Sequence, residues 1–450
     1  MKLVRDPKFY KTFFALTFTI ALRNVIVFTV NLADSVMLGQ YSEAALSGVS
    51  LVNQIQFLLQ LLVMGVGEGA QIFISRAWGA GDRDTIRKMV GISVKSAVAV
   101  SLVLLAIVAA APAGVLSLLA TSDAFVSEGV GYLKIIYFSY PIFAISTALI
   151  IANNGVETAS LGFVTSIGAL VINIALNWCL IYGNLGFPEL GARGAAIATL
   201  CARIVECAAV IIYTFVIDKK IGMRLRDIFS RIDMRLFRDF LRRGLPVFFS
   251  SLIWGVAMTI QLAILGHMGD AAITANSISN TLFQIITVVT YASASCTSVM
   301  MSKAIGEGRD DMVRPYARTF QLLFLGIGLV TASLLFFCKD YIILLYDVSP
   351  ESRAMALKFM TILSVTVLGT SYQMPCHTGI VRGGGDTGFV FKVDSIFMWG
   401  IVLPCSTVAA FVLKLPPEAV FFILKSDQLI KCAVAAIKVN SFNWVKRVQS

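Results

Sequence analysis

The chain has 450 residues, 57% of them hydrophobic and only 14% charged, with a formal net charge of +11. Soluble domains carry about 25% charged residues, so two or three water-soluble domains are excluded despite the length. The eight cysteines, at positions 179, 201, 207, 296, 338, 376, 405 and 432, occur singly with no CxxC pair, which excludes a zinc module or a disulfide framework.

A membrane-spanning helix needs roughly 20 predominantly apolar residues. In chain order the segments of that kind are 11–38, 45–75, 96–122, 135–156, 158–188, 194–217, 244–269, 271–302, 319–338, 359–381, 395–413 and 417–437. Only the first, second, sixth and twelfth contain Asp, Glu, Lys or Arg. The predicted fold class is all-α integral membrane, with twelve transmembrane helices. The opening MKLVRDPKFYK is basic, but the apolar segment after it is long and lacks an A-x-A-like exit, so no cleavable signal is expected.

The basic residues are unevenly distributed. Lys2, Arg5, Lys8 and Lys11 precede the first segment, and Arg76, Arg83, Arg87 and Lys88 follow the second. A basic run extends from Lys219 to Arg243, then come Lys303, Arg309, Arg314 and Arg318, Arg382 and Lys392, and finally Lys438, Lys446 and Arg447. The alternate loops hold only Arg193, Lys339, Arg353, Lys358 and Lys414. This bias predicts both termini on the cytoplasmic side of a multi-pass plasma (cell inner) membrane protein. The positive charge orients the chain, and no nucleic-acid partner is expected.

The sequence repeats itself. GQYSEAA at 39–45 matches GHMGDAA at 266–272, and ISRAWGAGDRDTIR at 74–87 matches MSKAIGEGRDDMVR at 301–314, both 227 residues on. LGFV at 161–164 matches TGFV at 387–390. Two six-helix halves of equal orientation make parallel, pseudo-symmetric bundles around a central cavity. The expected division is an N-terminal bundle at 1–217, a cytoplasmic basic linker at 218–243 and a C-terminal bundle at 244–450. Within the linker, RIDMRLFRDFLRR reads as an amphipathic interfacial helix. Such a duplication points to transport by rocking one half against the other.

Polar residues inside the spans require a reason, because a charge at the bilayer centre costs about 2.5–3.5 kcal/mol on insertion scales. Asp34 lies near the outer end of the first predicted helix. Asn173 and Asn177 stand i, i+4 on one face of the fifth, and Thr199 opens the sixth. Together they offer hard oxygen ligands suited to Na+, and a lone buried carboxylate can equally take up H+. The repeat partner of Asp34 is Gln261, and the seventh and tenth helices contain no acidic residue. Coupling is therefore expected in the first half, with Asp394 as the one acidic candidate in the second, near a helix end where it could simply be solvated.

Arg203 and Glu206, i and i+3, read as a local ion pair or a proton relay, and Arg23 and Glu68 as an ion pair between helices. His377 beside Pro375 either titrates or is merely hydrogen-bonded. Pro141, Pro375 and Pro404 predict kinks, whereas the first helix has no proline beyond Lys8. GVGEGA at 65–70 lies inside an apolar helix, where small residues favour close packing rather than nucleotide binding. No GxxxxGK[ST] loop occurs, so ATP-driven transport is disfavoured.

The strings ADSVMLGQYSEAALSGVS, SRAWGAGDRD, NIALNWCLIYG, GARGAAIAT and VRGGGDTGFV, in this order and spacing, together resemble the multidrug and toxic compound extrusion (MATE) transporters. The resemblance spans essentially the whole chain. It implies an antiporter, not an enzyme, with no cofactor beyond the coupling ion. Such a protein exports organic, often cationic amphipathic compounds against inward H+ or Na+. It also implies a cation site at Asp34, Asn173, Asn177 and Thr199; some members have a second acid where this chain has Asn177. The expected partners are a small-molecule substrate and the lipid bilayer, with the protein acting as a monomer. A flippase for a lipid-linked saccharide shares the duplicated architecture, but Arg23 and Arg203 are few for a pyrophosphate cavity. A non-transporting receptor would leave the Asp34 constellation without a purpose.

Overall fold

The computed structural model describes residues 3–117, 123–346 and 348–446. Lys2 and Arg447 of the basic clusters, and the end of the predicted segment 96–122, lie outside the described residues. Every regular element among the described residues is helical. The long helices are α1 (Pro7–Tyr41), α2 (Glu43–Ala80) and α3 (Arg83–Ala110). Next comes α4, a broken helix whose pieces Asp123–Ile136 and Ser139–Gly155 are bent by 57°. Helix α5 spans Ser160–Tyr182 and α6 Ala192–Ile212, continued by a π-helical turn at Tyr213–Ile217.

The second half repeats this order: α7 (Met234–Gly266), α8 (Asp270–Gly306), α9 (Asp310–Ile342), α10 (Pro350–Met374, continuing as a π-helix over Pro375–Val381), α11 (Thr387–Val412) and α12 (Pro417–Ser441). Ten of the helices are long and apolar enough to cross a membrane, and an eleventh is α4 if its two pieces form one span. Helix α12 completes the predicted dozen despite carrying Glu418, Lys425, Asp427, Lys431 and Lys438.

The expected prolines mark the irregular places. Pro141 lies just past the bend of α4. Pro375, which cannot donate a backbone hydrogen bond, opens the π-helical end of α10. Pro404 sits in a short α-helical piece between two π-helical stretches of α11. Helix α1, without an internal proline, is continuous over 35 residues.

Two features depart from the division expected from sequence. The basic segment after Asp233 is not a separate interfacial helix; from Met234 onward it is the first turns of α7. The compact units also do not coincide with the sequence halves. One unit is Leu22–Phe248, and the other combines the chain up to Ala21 with the chain from Phe249 onward. Helices α1 and α7 therefore each contribute one part to either unit.

The duplication recurs in local geometry. Helix α2 ends on Gly81 (φ 72°), and α8 ends just before Gly308 (φ 69°). These are repeat partners, both in the left-handed region that glycine enters at little cost. Each unit has its own core. In the first, Val52, Leu59, Tyr140 and Leu149 belong to one cluster of buried side chains. In the second, Phe359 and Phe421 stack at 4.0 Å among Leu363, Val367 and Leu424. Large apolar side chains such as Leu102, Val103, Ile107, Val164 and Val171 are exposed, as lipid-facing helices require. The glycine string of α2 serves packing: a Cβ at Gly67 would meet Ile151, and one at Gly69 would lie 2.9 Å from Gly244 Cα.

Candidate functional site

Four side chains from three helices converge in the first unit. Asp34 from α1, Asn173 and Asn177 from α5, and Thr199 from α6 are all buried, the two asparagines completely. Asn177 Nδ2 donates to Asp34 Oδ1 and to Asn173 Oδ1 at 3.2 Å. Asn173 Nδ2 donates to Thr199 Oγ1 at 3.2 Å, and Thr199 Oγ1 lies 3.5 Å from Asp34 Oδ2. The i, i+4 spacing on α5 is what brings both amides to one carboxylate.

Local packing fixes these positions. Gly194 near the start of α6 lies against the Leu180 carbonyl of α5 so closely that any side chain would collide, which brings Thr199 within reach of Asn173. Tyr182 Oη, at the end of α5, donates to Met37 O of α1 at 2.8 Å. That contact holds α5 and α1 in register just beyond the site.

Among the described residues no lysine or arginine forms an ion pair with Asp34. The cation whose charge acts on it is Arg203. Arg203 Nη2 donates to Gln56 Oε1 at 2.7 Å and Nη1 to Ser139 Oγ at 3.0 Å, with the guanidinium 4.9 Å over the Phe143 ring. The carboxylate is thus neutralised only in part, and Asn177 Oδ1 is buried without a donor. An acceptor-only carboxylate, an orphaned amide oxygen and a hydroxyl together suit one proton or one small hard cation.

Two of the expected ion pairs are corrected. Arg203 does not pair directly with Glu206; it is turned to Gln56 and Ser139. Glu206 accepts from Ser166 Oγ at 3.1 Å and is the acid acting on Arg23, so Arg23 is not the partner of Glu68. Spacings i and i+3 admitted the first pair, but side-chain direction on α6 sends the two groups to different neighbours. Glu68 lies half-buried on α2.

The second unit has a buried charge cluster of its own. Asp394 stays 35% exposed, as its place near a helix end suggested, but it is ion-paired and is not the unit's one acid in a span, because Lys431 Nζ binds Asp394 at 3.1 Å and the fully buried Asp427 at 3.0 Å. The available signal was Asp427 and Lys431 at i, i+4 in an otherwise apolar span. At the position repeating Asp34, Gln261 Oε1 accepts from Lys425 Nζ at 3.4 Å. Lys425 is itself the residue 226 positions beyond Thr199. Where the first unit has a carboxylate and a hydroxyl, the second has an amide and a built-in cation. His377 is buried, with Nδ1 3.2 Å from Gln373 Oε1.

The MatE family model matches residues 19–179 and 246–408, one stretch in each half. The chain is 26% identical over 445 residues to an uncharacterized transporter, YisQ, of Bacillus subtilis, covering 97% of this chain and 96% of that one. It is 23% identical over 444 residues to the probable multidrug resistance protein NorM of Thermotoga maritima, covering 98% and 94%. Among solved structures, a MATE in the bent conformation superposes with a TM-score of 0.87 at 18% identity over 96% of both chains. The Vibrio cholerae MATE transporter VcmN in its bent form gives 0.84 at 18% identity, also over 96% of both. With both halves matched and the twelve-helix fold reproduced end to end, the chain belongs to the MatE family, the multidrug and toxic compound extrusion transporters.

Proposed function

We propose that this transporter is an antiporter that exports organic, amphipathic, cationic compounds in exchange for inward H+ or Na+. On this reading it sits in the plasma membrane with both termini in the cytoplasm, and one bundle rocks against the other. The observation that carries the reading is Asp34, a buried carboxylate hydrogen-bonded by Asn177 and Thr199 with no ion-pair partner among the described residues. An ionised group in that position needs a compensating charge. A coupling ion supplies it and then leaves when the site reopens to the other side. The binding of that ion and of substrate alternate, so the ion gradient drives export.

The energetics bound what one such site can do. A proton gradient of two units is worth about 2.7 kcal/mol, which sustains a substrate gradient of roughly 100-fold for one proton per molecule. Asp34→Asn keeps the size of the side chain and an acceptor for Asn177 but removes the charge. In liposomes the variant should lose gradient-driven dye accumulation while its melting temperature stays level or rises. Accumulation at the wild-type rate by Asp34→Asn would remove Asp34 from the mechanism.

A further inference from the structure

A chain of side-chain hydrogen bonds links two helices of the second unit, α12 and α10. Asp427 on α12, held at 3.0 Å by Lys431, accepts from Gln428 Nε2 with both oxygens at 2.9 Å. Gln428 Oε1 accepts from Gln373 Nε2 of α10 at 2.8 Å and from Thr370 Oγ1 at 3.2 Å. Gln373 Oε1 then meets His377 Nδ1 at 3.2 Å.

The direction of every bond follows from the first. An ionised carboxylate only accepts, so Gln428 must present its amide nitrogen to Asp427. Its oxygen is then left for Gln373, whose own oxygen is left for the imidazole. That oxygen cannot donate, so Nδ1 of a neutral His377 must carry the hydrogen, and Nε2 carries the lone pair. Nε2 is buried and has no hydrogen-bond partner, in a side chain only 1% exposed. A bare basic nitrogen in such a place is uncommon, since buried polar atoms are nearly all satisfied. It also lies in the π-helical turn after Pro375, a distortion found often at functional sites.

We propose that His377 is a proton-binding site of the second unit, with Nε2 as the atom that takes the proton. Asp427, acting through Gln428 and Gln373, keeps that atom bare. The charged groups acting on the ring are Asp394 of α11, Lys431 of α12 and Arg382 at the end of its own turn. The Phe389 ring lies edge-to-face with the imidazole, the ring centroids 6.2 Å apart. Lys438 and Asp386 nearby neutralise each other at 2.8 Å. Helix α8 brings the Ala294 carbonyl and Thr297 against Gly379 of the same turn. Asp394, a third exposed and sharing Lys431 with Asp427, is the acid placed to offset a charge gained by the ring. This site is separate from Asp34, and neither assignment depends on the other.

The chain has two histidines, so nitrogen-15 histidine labelling of the full-length protein in lipid nanodiscs, with His267→Gln, leaves one imidazole to observe. The expected spectrum at neutral pH is the Nδ1–H tautomer in more than tenfold excess, with Nε2 gaining a proton on acidification. Asp427→Asn, whose amide can offer Gln428 either group, and Gln428→Met, which cuts the chain, should each bring the tautomer ratio toward one. A wild-type ring in the Nε2–H form at neutral pH would overturn the proposal. So would a ring that stays neutral until the protein unfolds. Should both variants fail to fold, the wild-type tautomer and its titration decide alone. Asp34→Asn should leave this titration in place, so a failure of the Asp34 reading is seen in export and a failure of this one in the spectrum.

Discussion

Replacing Lys431 by methionine removes the cation that binds two carboxylates while nearly conserving side-chain length. Lys431 is 5% exposed and Asp427 fully enclosed, whereas Asp394 is 35% exposed. Breaking a buried pair by deleting one partner costs about 3–5 kcal/mol, and nearly all of that should fall on Asp427, because solvent screens Asp394. The charge of Lys425 also acts on Asp427, and Gln428 continues to donate to it, which places the expected cost toward the lower figure. Urea or thermal unfolding of the purified protein in one detergent would measure the loss. Lys431→Met/Asp427→Asn should recover most of it, and Lys431→Met/Asp394→Asn little, giving coupling energies that differ by more than about 1 kcal/mol. Equal recovery by the two double variants would refute the assignment of Asp427 as the dominant partner.

Other substitutions test the supports of the first unit. Gly194→Val should force α5 and α6 apart at the Leu180 carbonyl, costing about 1–3 kcal/mol and lowering export through the displaced Thr199; an unshifted, fully active variant would contradict the close approach. Lys220 Nζ binds the Val156 and Glu157 carbonyls and Thr158 Oγ1 at 2.9–3.2 Å, so Lys220→Met should lower the melting temperature, and an unchanged one would deny that this contact matters. Asp82 caps α3 by accepting from Thr85 N at 3.0 Å and Thr85 Oγ1 at 2.6 Å, and these bonds hold its carboxyl below the ordinary range. The cap therefore stabilises above pH about 3.9 and is lost as the pH falls through its lower folded value. Asp82→Ala should cost about 1 kcal/mol at neutral pH and progressively less in acid; a deficit that grew in acid would reverse this sign.

Much of the fold was legible because the bilayer imposes a length on apolar runs, and because the repeat aligns Gly81 with Gly308 and Asp34 with Gln261. The helices of the Asp34 site were legible too: an acid in an apolar run, two asparagines one turn apart, and a hydroxyl at a helix start. What sequence could not supply was side-chain direction. Arg203 is compatible by spacing with Glu206, yet Gln56 and Ser139, far away in the chain, hold it. Nor do helix periodicities show that α1 and α7 divide between units at Ala21 and Phe248, since both parts of each helix read alike. The Asp427–Lys431 pair could have been found from its i, i+4 spacing. That spacing does not show, however, that Asp394 of α11 shares the same lysine.

The proposed antiport requires that an ion gradient drive export through this protein. The direct measurement is accumulation of a fluorescent organic cation in proteoliposomes, with the proton and sodium gradients imposed separately and then together. Accumulation is expected with one gradient, with collapse when the matching ionophore dissipates that gradient, and none is expected for Asp34→Asn under either. Accumulation that persists with both gradients abolished, or that Asp34→Asn sustains, would contradict the proposed antiport.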